Sequence, residues 1–213
     1  MAGWMPVLIE ATGVTMKLTV TSVLTAIVIG IFLALARINK NPLINKPAAA
    51  YIFFFRGSPL LIQLYFVYFG LPLIAPQLNI SSAFLAAYIA FSLNIAAYLA
   101  EIFRAAIQSI DKGQMEAGRS LGLSYGQCMR LVIIPQSYRR MIPPVCNEFL
   151  MVIKDTSLVS IIALTDLTFQ TKMIASNKAS ALVYIPSLGI YLILTAVFTI
   201  IFNRLEKKFS EYE

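Results

Sequence analysis

Five apolar segments follow one another along the chain, separated by shorter polar stretches. A helix that crosses the hydrocarbon core of a bilayer needs about 20 predominantly apolar residues, and each segment is close to that length. The fourth segment is the least regular, because it contains Glu148, Lys154 and Asp155. The pattern predicts an all-α membrane protein with five transmembrane helices, folded as one transmembrane domain over residues 1–213. The predicted spans are about 18–36, 58–75, 82–103, 142–164 and 182–203.

The composition agrees with this class of protein. Hydrophobic residues occupy 59% of the 213 positions and charged residues only 13%, whereas soluble domains carry about 25% charged residues. The chain has no histidine, and Cys128 and Cys146 form no metal-binding or nucleophile motif. We therefore expect no catalytic residue, no bound metal and no enzymatic activity. Residues 1–17 are predicted to form a short interfacial helix or a frayed terminus.

Positive charge is distributed unevenly between the two sides of the membrane that alternating spans define. Thirteen of the 17 Lys and Arg residues lie on one side, in segments 37–56, 104–140 and 204–208, and three lie on the other. Cytoplasmic loops carry the excess of Lys and Arg in membrane proteins. The distribution predicts a multi-pass protein with its N-terminus outside and its C-terminus in the cytoplasm. The loop at about 111–136, here named the elbow loop, is then cytoplasmic.

The elbow loop is polar and has the spacing of two short helices joined by a turn. Gly113 is predicted to stop the preceding helix, and residues 114–121 permit a short helix that Gly122 interrupts. Ser124 followed by Gln127 has the spacing of a capping box, which predicts the start of a second helix. A bent unit of this kind suits docking into a cleft on a partner protein.

The elbow loop resembles the signature E-A-A-x3-G-x9-I-x-L-P of permease subunits of bacterial ABC importers. The matching positions are Glu116, Ala117, Gly122 and Pro135, and the conservative departures are Gly118, Val132 and Ile134. The flanking segments 54–72, 96–111 and 153–164 resemble the subfamily that takes up polar amino acids such as histidine, arginine and glutamine. The resemblance extends over about residues 10–205.

This resemblance implies a set of partners. Two permease subunits, identical or homologous, would pair in the cytoplasmic (inner) membrane of a prokaryote with two copies of an ATP-binding subunit. An extracytoplasmic substrate-binding protein would deliver an amino acid, and no nucleic acid is involved. The chain has no G-x-x-x-x-G-K-[ST] motif, so it binds no cofactor itself, and ATP and Mg belong to the ATPase. The residues expected to couple to that ATPase are Glu116, Ala117, Gly118, Arg119, Ser120, Leu121 and Gly122.

Charged and polar residues inside the predicted spans indicate a substrate path, because ionisable groups in a membrane usually face a cavity or a partner. Asn94 and Glu101 are two helical turns apart in the third span, and Glu148 and Asp155 have the same spacing in the fourth. Three carboxylates around one cavity would favour a cationic amino acid such as arginine, lysine or histidine. The residues predicted to line the path are Ser58, Pro59, Asn94, Tyr98, Glu101, Glu148, Met151 and Asp155. Ser58 and the free amides near Pro59 are expected to bind the substrate carboxylate.

Structural roles are open alternatives for the same residues. Glu101 has Arg104 one turn away, and Asp155 is placed to cap the stretch that begins at Thr156. Ser58 and Pro59 fit an interfacial helix start. For Glu148 the candidate ion-pair partners are Arg56, Arg139 and Arg140.

Alternative functions belong to other classes. A secondary transporter driven by an ion gradient would also place acids within its spans, although it usually shows inverted repeats, which this sequence lacks. A membrane-embedded enzyme would need a nucleophile or metal cluster that is absent from the sequence.

Overall fold

The computed structural model describes residues 3–210, without the side chains of residues 209 and 210, and this part of the chain is built from helices. The elements in chain order are α1 (Met5–Ile38), α2 (Pro42–Gly57), α3 (Leu60–Tyr65), a π-helical turn (Phe66–Gly70), α4 (Leu71–Ile74), a 3-10 turn (Pro76–Leu78), α5 (Ala83–Gln108), α6 (Lys112–Ser120), α7 (Tyr125–Cys128), a second π-helical turn (Met129–Ile133), α8 (Ile134–Asp155), a 3-10 helix (Thr156–Ile162), α9 (Leu167–Lys178), a 3-10 turn (Ala181–Val183) and α10 (Tyr184–Ser210).

Helices α1 and α5 form the centre of the fold and run parallel to each other. Small residues on α1 allow the two backbones to come close, as is common where membrane helices pack. At Gly30 the approach is so close that an added Cβ would lie 3.0 Å from Leu99 Cβ and 3.3 Å from Ala96 O. Closer to the N-terminal ends of the two helices, the hydroxyls of Thr25 and Tyr88 are 2.7 Å apart and link α1 to α5. The remaining elements pack around this pair.

Two helices are interrupted within the apolar part of the molecule. The segments Pro42–Gly57 and Leu60–Ile74 meet at an angle of 101°. Helix α8 changes at Asp155 into the 3-10 helix, which ends where Ala163 has the left-handed φ of 57°. Both π-helical turns end two residues before a proline, Pro72 or Pro135, which has no N–H to donate to the preceding turn.

Two sequence predictions about the first part of the chain are wrong. Helix α1 begins at Met5, so described residues 5–17 continue the first span instead of forming a separate interfacial helix or a frayed end; Thr15 is fully buried there. Residues 1 and 2 lie outside the described part. Segment 37–56 was treated as a loop because of its four cations, yet most of it forms α2. Its buried face, with Ala48 and Ile52, explains why it folds against the other helices.

The number of spans remains a prediction. By length and hydropathy, the described helices that qualify are α1, α5 and the segment Ala181–Lys208, with the bent pair around Gly57 as a fourth candidate. Predicted span 142–164 is not among these helices, and it is divided between α8 and the following 3-10 helix.

The close contact at Gly30 predicts that Gly30→Val destabilises the protein. The added side chain would push α1 and α5 apart, and overpacking of this kind typically costs about 1–3 kcal/mol. The matched control is Gly13→Val on the same helix, where an added Cβ meets nothing within 4 Å. Thermal unfolding in detergent should show a lower midpoint for Gly30→Val than for Gly13→Val. Equal midpoints would show that the approach of the two helices is not tight.

Candidate functional site

A central cavity of about 420 Å³ lies between the α2–α3 break, α5 and α8. Seven of the eight residues that the sequence assigned to a substrate path line it, and Glu101 does not. The lining residues are Arg56, Gly57, Ser58, Pro59, Leu60, Phe91, Asn94, Ile95, Tyr98, Glu148, Met151, Val152 and Asp155. The fold therefore brings residues from three separate segments to one site, and Asn94, Glu148 and Asp155 are among its polar groups.

Asn94 is held in place by an amide that the sequence analysis missed. Its Nδ2 donates to Gln63 Oε1 at 3.0 Å and to the carbonyl of Phe55 at 2.9 Å. Gln63 Nε2 in turn donates to the carbonyls of Phe55 and Ser58, both at 3.0 Å. The two amides therefore satisfy carbonyl groups at the α2–α3 break and fix that break against α5. The available signal was a glutamine within an otherwise apolar segment.

Glu148 and Asp155 place two carboxylates at the cavity, and both are half-buried. Within residues 3–210 neither has a Lys or Arg nitrogen within 4.0 Å, so the predicted ion pair of Glu148 with Arg56, Arg139 or Arg140 is not formed. The predicted cap is also wrong: Asp155 begins the 3-10 helix without a side-chain cap hydrogen bond. The helix does change at this residue, but its carboxylate lines the cavity instead of bonding to the backbone.

Glu101 takes the structural role that was its alternative. Its carboxylate is 2.6 Å from Arg104 Nη2 and 4.0 Å from Arg56 Nη1. The Arg56 guanidinium carbon also lies 5.3 Å from the centre of the Tyr98 ring, which is within the range of a cation–π contact. Arg56 therefore lies between the cavity and Glu101, and it adds to the site a positive charge that the sequence analysis did not assign.

Ser58 and Pro59 mark the joint between two helices. The Ser58 hydroxyl donates to the Phe54 carbonyl at 2.7 Å and accepts from Gln63 Nε2 at 2.8 Å. This hydroxyl is therefore engaged with the protein, and the expectation that it binds a substrate carboxylate is not supported. The Pro59 carbonyl accepts hydrogen bonds from the N–H groups of Ile62 and Gln63 at the start of α3. The N–H groups of residues 60 and 61 come before the first of these bonds, so they have no acceptor within the helix.

The elbow loop folds as two helices joined at Gly122, as the sequence predicted. Gly122 has a φ of +86°. Ser124 Oγ accepts from the N–H of Gln127, and the Gln127 side chain accepts from the N–H of Ser124, which completes the capping box. The prediction that Gly113 stops the preceding helix is wrong. Asp111 accepts from the N–H of Gly113 at 2.6 Å and so caps α6, which begins before that glycine.

The base of the elbow loop is fixed to both adjoining long helices. Arg140 Nη1 in α8 donates to the backbone carbonyl and the hydroxyl of Ser109, at 2.6 and 2.9 Å, directly after α5. Further out, α6 presents an exposed surface. The Glu116 side chain is exposed, and Leu121 is 83% exposed. This surface of α6 is therefore accessible to a partner protein.

Similarity to known proteins decides the family. Residues 26–211 match the family described as "Binding-protein-dependent transport system inner membrane component". The chain belongs to this family. It is 43% identical to the probable amino-acid ABC transporter permease protein YckA of Bacillus subtilis, over 97% of this chain and 91% of that protein. It is 39% identical to the glutamine transport system permease protein GlnP of Escherichia coli, over 95% and 93%.

A solved structure supports the same assignment. The "Crystal structure of an amino acid ABC transporter with histidines" contains a chain that is 38% identical and superimposes with a TM-score of 0.92, over 98% of this chain and 96% of that one. The resemblance to amino-acid importer permeases and the all-α permease fold are confirmed. This permease is not an enzyme, since ATP hydrolysis belongs to a separate subunit. The alternative of an ion-gradient-driven transporter is set aside.

Packing within the elbow loop predicts that Gly118→Ala destabilises the bend. A Cβ at Gly118 would lie 2.8 Å from Cys128 Sγ, which is buried beneath α6. We expect a cost of about 1–3 kcal/mol, which exceeds the gain in helix propensity of about 1 kcal/mol. Gly126→Ala is the control, because an added Cβ there meets nothing within 4 Å.

Removing the Cys128 sulfur should restore the stability that Gly118→Ala loses. Adding Cys128→Ala to Gly118→Ala removes the sulfur and leaves Cys128 Cβ at 3.8 Å, an ordinary contact distance. Limited proteolysis of the loop and thermal unfolding should show the single variant loosened and the double variant restored. A double variant as unstable as the sum of the two single changes would contradict this account.

Proposed function

We propose that the permease passes polar, cationic amino acids such as arginine, lysine and histidine through the central cavity. The observation that carries this proposal is the pair of carboxylates, Glu148 and Asp155, which line the cavity without an ion-pair partner in residues 3–210. Charge inside a membrane protein is costly unless it faces a partner or a water-filled cavity. A substrate that brings positive charge to these two groups offsets that cost.

The charge balance of the cavity favours a side-chain cation. Glu148 and Asp155 contribute two negative charges and Arg56 one positive charge. The α-carboxylate of an amino acid would be bound by Arg56 and by the N–H groups at the start of α3. Its α-ammonium would neutralise one acid, which leaves the other acid for a cationic side chain. A neutral amino acid would leave that second carboxylate without a counter-charge.

Known relatives are consistent with polar amino acids but do not select the cation. One similar permease is named for glutamine, and the similar crystal structure is described with histidines. Competition among arginine, lysine, histidine, glutamine and glutamate in reconstituted vesicles decides between them. We expect the cationic amino acids to inhibit uptake most strongly, and a preference for glutamate would refute the proposal.

Removing one acid tests the site directly. We expect Glu148→Gln and Asp155→Asn each to lower the uptake of a cationic amino acid about 10- to 100-fold, because a charge-assisted hydrogen bond contributes about 1.5–3 kcal/mol. The control is Lys154→Gln, which changes an exposed charge next to Asp155 that does not line the cavity. Initial rates of ATP-dependent uptake in proteoliposomes are the measurement. Unchanged rates in both acid variants, or an equal loss in the control, would contradict the assignment.

The elbow loop is proposed to receive the movement of the ATPase. Helix α6 would insert into a groove on the ATP-binding subunit, which holds ATP and Mg, and Glu116 to Gly122 would form the contact. Two copies of that subunit would act with a second permease, identical or homologous. This arrangement needs the elbow loop in the cytoplasm, with the N-terminus outside, as the distribution of Lys and Arg predicts.

Charge reversal at Glu116 tests this coupling. The Glu116 carboxylate makes no hydrogen bond or ion pair within the described residues, so Glu116→Lys should leave the fold intact. We expect ATP-dependent uptake to fall at least about tenfold, and transport-stimulated ATP hydrolysis with it. Glu10→Lys, an exposed charge reversal on α1, is the matched control. If Glu116→Lys supports normal uptake, α6 is not the coupling element.

A further inference from the structure

A second cavity, of about 430 Å³ and lined almost wholly by apolar residues, lies between α1, α5, α8 and α10. It shares no lining residue with the central cavity. Named here the apolar groove, it includes Ile31 and Leu35 of α1, Ile107 of α5, Cys146 of α8 and Leu205 of α10. Its rim is open, because Ile31, Leu35 and Leu205 each expose 41–45% of their surface.

The apolar groove lies at the elbow-loop end of the molecule. Ile107 is one residue from the end of α5, and Ile134 is the first residue of α8, so both border the elbow loop. Leu35 and Leu205 are likewise close to the ends of their helices at Ile38 and Ser210. The groove is therefore within the outer part of the apolar region, at the depth where acyl chains meet their headgroups.

Positive charge is adjacent to the groove at this same end. Arg204 and Lys208 are exposed, lie one turn apart on α10 and are next to Leu205. In residues 3–208, where side chains are described, neither has a carboxylate within 4.0 Å. Arg140, which lies between the groove residues Tyr138 and Met141 of α8, is also exposed and is fixed by its bonds to Ser109. Basic residues beside an apolar cleft between membrane helices are typical of sites for anionic lipid headgroups.

We propose that the apolar groove holds an acyl chain of an anionic phospholipid whose headgroup is bound by Arg204 and Lys208. An apolar cavity does not retain water, and a chain of methylene groups matches its lining. The headgroup charge is opposite to that of the exposed cations next to Leu205 on α10. The site would be separate from the amino-acid path, so it stands or falls independently of the substrate proposal.

Fluorescence quenching by brominated lipids tests the site in the complete importer. Ile31→Trp places a reporter at the groove in a Trp4→Phe background, and the signal is taken as the difference from the same complex without the added Trp. The vesicles are phosphatidylcholine with increasing fractions of dibrominated phosphatidylglycerol or dibrominated phosphatidylcholine. We expect half-maximal quenching at an about fivefold lower fraction of the anionic lipid. The control, Ile193→Trp on the exposed part of α10, should respond equally to both lipids.

Replacing the two cations is the second part of the quenching experiment. Arg204→Gln combined with Lys208→Gln should abolish the preference for the anionic lipid while quenching at Ile31→Trp persists. Lys178→Gln, an exposed cation at the end of α9, should leave the preference unchanged. Equal curves for both lipids in the otherwise unaltered protein would overturn the headgroup assignment. Absence of quenching at Ile31→Trp would show that protein, such as a second permease, covers the groove and would overturn the whole proposal.

Discussion

The cavity depends on one constraint: a helix interrupted in apolar surroundings must have its freed backbone groups hydrogen-bonded. Each such group left unsatisfied in a membrane interior costs several kcal/mol. At the α2–α3 break this requirement is met by Gln63 and Asn94, whose amides bond the carbonyls of Phe55 and Ser58. Because Asn94 belongs to α5, the same bonds that permit the break also fix its position. An opening beside α5 follows, and Asp155, where α8 is also interrupted, lines it.

Hydropathy identified most of the long helices but not where each of them begins. The sequence could not show that residues 5–17 continue α1, because a hydroxyl such as that of Thr15, which is buried, looks polar until a neighbouring helix covers it. Helix α2 was missed for a related reason, since the four cations of segment 37–56, two of them in α2, suggested a loop while the apolar face of α2 packs against other helices. Local chemistry was more dependable at the bend, where the interruption of the helix at Gly122 and the Ser124 capping box were both predicted.

The sequence predicted which residues of one helix line the cavity together, but it did not predict which acid forms an ion pair. Glu148 and Asp155, two turns apart, do line one cavity, as spacing alone predicted. The same spacing gave Asn94 and Glu101 one face, but Glu101 is bonded to Arg104 and lies close to Arg56. Which acid finds a cation depends on the rotamers of long side chains and on the approach of α2, neither of which a sequence contains. The contribution of Gln63 was missed for the same reason.

The elbow loop and the cavity are connected by α5 and α8. Helix α5 carries Asn94 and ends just before the loop, and α8 begins just after it and carries Glu148. From Asn94 to Gln108 the helix spans about 21 Å at 1.5 Å per residue, a distance that an unbroken α-helix bridges without bending much. The bonds between Arg140 and Ser109 hold the two helices together at the base of the loop. A displacement of α6 by a partner would therefore move two walls of the cavity as one unit. The α2–α3 break is bonded to α5 through Gln63 and Asn94, so it would move with that helix.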